Sequence, residues 1–201
     1  LSGSFQSTGS AVLQFEKDFV NVGAFSNALR VEFTGTGTAL YQNTGTANFA
    51  TVRIQKTGTL ILQNHLSVSQ DLVTNNGATL EATGVNVSAR NLQNAGQFIA
   101  GTNVLLTGNF ANTGTIQPGT AHFQFQGNSV ANTFSNSQTN FAFWQLSLNN
   151  PAGLNLNTGA SSTNLVVADQ LNLINGAIRT GNGKEVRVTN AVSGAVTSGT
   201  G

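Results

Sequence analysis

Glycines recur at a nearly constant spacing in the middle of this 201-residue chain. They fall at Gly58, Gly77, Gly96 and Gly114, so the successive spacings are 19, 19 and 18. Between them lie about three short runs in which apolar and polar residues alternate, which is the period of a β-strand. A unit of this length cannot bury its own apolar face, so the repeat predicts that successive units stack on one another.

Coils of a parallel β-helix would stack in this way, because equivalent residues then lie one strand spacing apart, roughly 4.8 Å, and line a continuous interior. We therefore predict an all-β fold, a right-handed parallel β-helix (β-solenoid) of about ten coils. Counting eight and ten positions from each of the first three glycines selects the apolar members of two neighbouring core stacks. The first stack is Leu66, Val85 and Val104, and the second is Val68, Val87 and Leu106.

Asparagines precede three of these glycines at a constant offset of two. They are Asn75, Asn94 and Asn112. Stacked coils would place them in one row at a corner, where each amide could hydrogen-bond to the coils above and below. The sequence therefore predicts a structural amide ladder, with simple turn formation by asparagine as the alternative.

The regular period covers only part of the chain. Residues 1–57 keep the apolar alternation with irregular glycine spacing, and residues 121–201 are rich in aromatic residues. Between them, residues 58–120 hold the regular coils, each of about 18–19 residues. Wider coils with larger rings inside would account for the aromatic region, and so would a terminal cap. We expect one continuous solenoid that is a piece of a longer protein, because the chain starts with Leu1 and stops within its own pattern.

Tandem β-sandwich domains are the competing fold. Strands separated by turn signals at intervals of roughly 8 to 12 residues fit that architecture as well. Asn76-Gly77 and Asn175-Gly176 are also good hairpin dipeptides. A sandwich has no reason to repeat at the spacing of these glycines, however, whereas stacked coils require a nearly constant length. The period therefore favours the β-helix.

Composition excludes several classes of partner. Asn, Thr, Gly, Ser and Gln make up half of the chain, and a net charge of +1 leaves no electrostatic basis for binding nucleic acid. The apolar runs are too short to span a bilayer, so we expect no membrane insertion. With no Cys, the chain has neither disulfides nor thiolate metal ligands.

Residues 121–201 resemble repeats of very large secreted or surface adhesin-like proteins of Bacteroidota-type bacteria. The matching elements are Phe125-Gln126-Gly127, Leu146-Ser147-Leu148-Asn149, Gly153-Leu154 and the stretch from Leu171 to Gly181. Residues 58–120 are similar to the Asn/Gly-rich coils of filamentous-haemagglutinin-type adhesins. The resemblance implies extracellular display on a long rod, with adhesion or a surface-structural role, and it carries no catalytic residues to this chain.

Few residues could support chemistry. His65 and His122 belong to different units, and the seven carboxylates are scattered along the chain. Polysaccharide-cleaving β-helix enzymes concentrate acidic and basic residues on one face, which this composition does not allow. The positions that would hold a calcium-binding Asp after the glycines carry other residues. We therefore expect no catalytic residue, no cofactor and no metal site.

Aromatic side chains are the remaining candidates for binding. Tyr41 or Trp144 could stack on a sugar ring. We nevertheless expect both to pack in the core, Trp144 because it lies among phenylalanines. Trp144 is the candidate contact for cell-surface glycans.

These observations favour a non-catalytic structural segment of an extracellular surface filament or adhesin stalk. Its partners would be neighbouring repeats or copies of itself in a filament. The alternative is a carbohydrate-binding β-helix module of a secreted protein.

Overall fold

A computed structural model describes residues 4–7, 12–156, 164–181 and 183–199 of the chain. These residues form β-strands joined by short turns, and none of them is helical, so no helix able to cross a membrane occurs among them. The strands are β1 Ser4–Ser7, β2 Val12–Phe15, β3 Phe19–Asn21, β4 Ala24–Phe33, β5 Ala39–Asn43, β6 Thr46–Ile54, β7 Gly58–Leu62, β8 Leu66–Thr74, β9 Ala78–Glu81, β10 Val87–Asn94, β11 Gln97–Ile99, β12 Asn103–Leu106, β13 Phe110–Asn112, β14 Thr115–Gln117, β15 His122–Gln126, β16 Asn132–Asn136, β17 Phe143–Asn149, β18 Leu154–Leu156, β19 Leu165–Asn175, β20 Ile178–Arg179, β21 Val186–Val188 and β22 Val196–Ser198.

The strands wind into a parallel β-solenoid of about eight turns. One sheet has 16 strands, and its main path runs β1-β4-β6-β8-β10-β12-β15-β17-β19-β21. A second sheet has six strands in the order β14-β11-β9-β7-β5-β3. Strands that neighbour each other in a sheet belong to successive turns, so the backbone hydrogen bonds run along the axis of the solenoid.

Each turn has three straight segments, which we call the first, second and third faces. In one turn they are residues 66–68 and 71–74, the two halves of β8, and residues 78–81, which form β9. The pairing register shifts between the two halves of the long strands, for example between Ala89 and Asn91, so an extra residue lets the strand bend there.

The prediction of a parallel β-solenoid is confirmed, and the tandem β-sandwich is wrong. Every pairing between the described strands is parallel, whereas a β-sandwich is built from antiparallel strands. The expected number of about ten coils was too high, because the later turns are longer than the repeat suggested. Asn94 and Asn112 are 18 residues apart, but their counterparts one turn later, Asn112 and Asn136, are 24 apart.

The predicted core stacks are wrong at Val85, which is not a member of the first stack, and at Val87, which belongs to the first stack instead of the second. The structure pairs Leu66 with Val87 and Val87 with Val104, and a second row pairs Val68, Ala89 and Leu106. Val85 lies in a turn closed by the hydrogen bond from its N–H to the Ala82 carbonyl, where it is half-buried against the core.

Compensating length changes explain this error. Val87 comes ten positions after Gly77, whereas Leu66 comes eight positions after Gly58. From the first face to the next glycine, the turn that contains Val87 is two residues shorter than the turn that contains Leu66. The glycine spacing therefore stays constant while the register inside the turn moves by two.

The described residues of the irregular region 1–57 stack in the same way as those of the later turns. Phe25 pairs with Ala47, Val31 with Val52 and Phe33 with Ile54. Because the second face of each turn falls in register, the apolar alternation of this region points into the same core.

Rings fill the interior at two levels, and aliphatic side chains dominate the turns between them. The expected aromatic level in the second half contains Phe110, Phe123, Phe125, Phe134, Phe141 and Phe143, with ring centroids 4.7 to 6.5 Å apart. A second aromatic level, not predicted, contains Phe15, Phe19, Phe25, Phe33, Tyr41 and Phe49. Larger rings therefore line both the early and the later turns.

The register predicts a large difference between two neighbouring valines. Val87 is 1% exposed within its stack, so Val87→Asp should lower the free energy of unfolding by at least about 4 kcal/mol, because it buries an unpaired carboxylate. Val85→Asp should lower it by only about 1 kcal/mol, since that side chain can reach water. Urea denaturation would measure both. If Val87→Asp does not fold, Val87→Ala should still cost about 2 kcal/mol and more than Val85→Ala; equal losses at the two positions would contradict the register.

Candidate functional site

Asparagine side chains form a buried ladder at the corner between the second and third faces. Asn94 Nδ2 donates to Asn112 Oδ1 at 2.7 Å, and Asn112 Nδ2 donates to Asn136 Oδ1 at 2.7 Å. Asn94 Nδ2 also lies within hydrogen-bonding distance of the carbonyls of Gly96 and Thr115. All three asparagines are buried, so the ladder satisfies amides that water does not reach.

Asn75, the third predicted member, lies outside this ladder. Thr74, and not Asn75, is in register with Asn94. The segment between Thr74 and Gly77 is one residue longer than the segment between Asn94 and Gly96. Thr74 is buried, and neither its Oγ1 nor Asn94 Oδ1 has a hydrogen-bond partner among the described residues. The ladder therefore starts at Asn94 and continues to Asn136, which the spacing from the glycines did not predict because Gln138 stands where the glycine would be.

Related amide pairs occupy the other two corners. Asn21 Nδ2 donates to Asn43 Oδ1 at 2.7 Å where the third face meets the first, and Asn150 Nδ2 donates to Asn132 Oδ1 at 2.8 Å where the first face meets the second. Asn21-Val22-Gly23 and Asn43-Thr44-Gly45 repeat the Asn-x-Gly spacing of Asn94, so the sequence did carry a signal for the first pair. Asn132 and Asn150 lack that glycine.

Two other side chains satisfy backbone groups between turns. Gln138 accepts a hydrogen bond from the Ile116 N–H at 2.7 Å and donates one to the Ile116 carbonyl at 3.1 Å, so its amide takes the place of a neighbouring strand at the edge of β14. Lys56 is 1% exposed, and its Nζ lies 3.0 Å from the Thr34 carbonyl and 3.4 Å from that of Glu16. Lys56 therefore joins three successive turns.

The two candidate aromatic contacts have opposite environments. Tyr41 is 1% exposed and stacks on Phe19 with a centroid separation of 5.4 Å, so it packs in the core as expected. Burial raises the pKa of its phenol above the usual value. Trp144 is 39% exposed, and the expectation that it packs among the phenylalanines is wrong. The alternation of the strand indicates this orientation: Phe141 and Phe143 point inward, so Trp144, the residue after Phe143, points outward.

Trp144 lies at a bend in β17 beside a hydrogen-bonded polar group. The register of β17 against β19 shifts between Phe143 and Gln145. Gln145 Nε2 donates to Asp169 Oδ2 at 3.0 Å, and Asn190 Nδ2 donates to Asp169 Oδ1 at 3.0 Å. We call these four residues, Trp144, Gln145, Asp169 and Asn190, the Trp144 corner. No local sequence pattern links them, because the stacking of turns brings them together.

A surface depression of about 250 Å³ adjoins the polar part of this corner. It is lined by Asp169, Gln170, Asn190, Val192, Ser193, Gly194 and Ala195. The Val192 N–H donates to Asn190 Oδ1 at 3.1 Å, which fixes the Asn190 amide that holds Asp169. The backbone register therefore places the exposed Trp144 one turn away from the oriented hydrogen-bonding groups of Asp169, a combination suited to binding and orienting a ligand.

The histidines lie in separate parts of the outer surface. His122 Nε2 is 2.7 Å from Ser147 Oγ, and Asn172 Nδ2 donates to the same hydroxyl at 3.3 Å. Burial lowers the pKa of the His122 imidazole. His65 Nε2 lies 3.2 Å from Ser88 Oγ. Over the described ranges, no three His, Cys, Asp or Glu side chains come together as a metal would require.

Comparisons with known proteins give no relative. No protein-family model, no curated protein and no solved structure matches the chain.

The ladder predicts unequal effects for two asparagines. Asn112→Ala removes two buried amide hydrogen bonds and takes one donor away from Asn136 Oδ1, so it should lower the free energy of unfolding by about 2 to 4 kcal/mol. Asn75→Ala is the matched control and should change it by less than about 0.5 kcal/mol. Chemical denaturation of both variants would test this, and a larger loss from Asn75→Ala would contradict the observed ladder.

Thr74 offers a stabilising substitution. In Thr74→Asn, the new amide could donate to Asn94 Oδ1 and extend the ladder by one turn, which should raise the free energy of unfolding by about 1 kcal/mol. Thr74→Val, which keeps the shape and removes an unpaired hydroxyl, should be neutral or slightly stabilising. Thermal unfolding of the two variants gives the comparison. A clear loss in Thr74→Val would show that the hydroxyl has a partner.

Proposed function

We propose that this chain is a non-catalytic structural segment of an extracellular surface filament or adhesin stalk. The observation that carries the proposal is the continuous set of parallel backbone hydrogen bonds that joins successive turns from β1 to β21. Because each inner turn is bonded to a turn on either side, a load along the axis is shared by many hydrogen bonds. About eight turns extend roughly 38 Å at the spacing of adjacent strands.

The surface chemistry fits this role. The outward positions are dominated by uncharged polar residues, and the net charge is +1, so copies of the chain would repel one another only weakly. The partners we propose are neighbouring repeats or further copies of the chain. Val196 supports this, because it is in register with Leu171 of the core and is 53% exposed. A further turn stacked on it would bury that apolar surface.

A structural role also accounts for the residues that could have suggested catalysis. Ser147 is buried and bonded to both His122 and Asn172, so its hydroxyl belongs to a row of hydrogen bonds between turns. Asn172 in turn accepts a hydrogen bond from Thr197 on the following turn. We interpret this row as a surface counterpart of the buried asparagine ladder. An extracellular location is part of the proposal, and it rests on the resemblance of residues 121–201 to surface proteins.

Carbohydrate recognition is the second candidate function. The exposure of Trp144 beside the Asp169 hydrogen bonds favours it. The two functions are compatible, since a stalk can carry binding sites along its length.

Immunogold electron microscopy would test the structural proposal. Antibodies raised against the purified chain should label filaments on the surface of intact cells that produce the protein. Antibody absorbed beforehand with the purified chain is the control and should leave the filaments unlabelled. Labelling confined to the cell interior, or to dispersed particles in the medium, would overturn the proposal.

A further inference from the structure

We propose that the Trp144 corner is a binding site for a neutral oligosaccharide. The inference rests on the second candidate function, carbohydrate recognition, and adds to it a location and a ligand class. Three properties of the corner support it: the exposed ring, the fixed polar groups and the local charge.

The exposed ring supplies the apolar part of a sugar site. Trp144 is 39% exposed, whereas its neighbour Phe143 is fully buried, so the indole is held on the surface by a strand whose adjacent residue is anchored in the core. Indole faces present a broad apolar surface, and the C–H groups on one face of a hexose ring form a complementary one. A ring on a strand also loses little conformational freedom when a ligand binds.

The polar groups of the corner are already oriented. Each oxygen of Asp169 accepts one amide hydrogen bond, from Gln145 and from Asn190. A carboxylate oxygen can accept about two, so each retains an acceptor position for a hydroxyl. Gln145 uses its Nε2 group to donate to Asp169, and its Oε1 offers another acceptor for a sugar hydroxyl. Neighbouring hydroxyls of a sugar could therefore donate to a site that needs little rearrangement.

The placement along the axis suits more than one sugar residue. Trp144 and Gln145 lie in one turn, Asp169 in the next and Asn190 in the turn after that. The row therefore extends over about two strand spacings, roughly 9.6 Å. A short oligosaccharide lying along the solenoid axis could contact the ring and the carboxylate together.

The charge at the corner selects against acidic sugars. Asp169 is the one charged residue among those that line the adjoining depression. A uronic acid would place a second carboxylate beside it with no basic side chain lining the depression to balance the charge. We therefore assign the site to neutral hexose oligomers.

Intrinsic fluorescence can test this site directly, because Trp144 is the chain's single tryptophan. The purified chain would be titrated with cellohexaose, maltohexaose and mannohexaose, and with hexagalacturonate as the charged comparison. We expect a saturable change in emission with at least one neutral hexasaccharide and none with hexagalacturonate. No saturable change with any neutral sugar, or a stronger response to hexagalacturonate, would overturn the proposal.

Variants measured by isothermal titration calorimetry separate this site from binding elsewhere. Trp144→Ala should abolish binding of the responding sugar, and Asp169→Asn should weaken it by at least tenfold. Ile174→Ala removes another exposed apolar side chain and should bind as the parent does. If Trp144→Ala is unfolded by circular dichroism, Trp144→Phe should fold and bind more weakly than the parent. Unchanged affinity in a folded Trp144 variant would overturn the assignment, while surface filament labelling would still test the structural role independently.

Discussion

Hydrogen bonding of each strand to the equivalent strand one turn away holds this structure together. It requires every turn to return to the same position around the axis, and therefore places equivalent residues directly over one another. Leu66, Val87 and Val104 are buried for this reason, although none is close to the others in sequence. Within each of the two aromatic levels, the same requirement brings rings from successive turns into contact.

Corners are where that interaction becomes incomplete, and polar side chains compensate there. Asn94 and Asn112 bond both to each other and to further polar groups of the neighbouring turns, so the buried amide donors at this corner are satisfied, while Asn94 Oδ1, at the start of the ladder, has no partner among the described residues. Gln138 replaces a missing strand beside β14, and Lys56 crosses three turns with a single amine. These residues differ in type, but each fills a gap in the bonding between turns.

An exposed aromatic residue is unusual on such a surface, because the interior takes up nearly all of the rings. Trp144 lies outside the core, at the place where β17 bends between two faces. At this bend one side chain points outward, with Asp169 in the next turn and Asn190 in the turn after that, and this is where we propose sugar binding. The proposed stalk and the proposed sugar site would therefore occupy the same turns.

Strand alternation and a regular glycine period have few physical solutions, so the amino-acid pattern alone was enough to predict that the chain coils, the approximate length of its regular coils, and the pairing of Asn94 with Asn112. The same pattern could not place Val85 or Asn75, since two added residues at one corner and one lost residue at each of the other two corners cancel in the spacing of the glycines. The register within each turn and the assembly of the Trp144 corner became visible only in the folded chain. Both depend on bends, where the two-residue period of a strand is broken and contacts come from other turns.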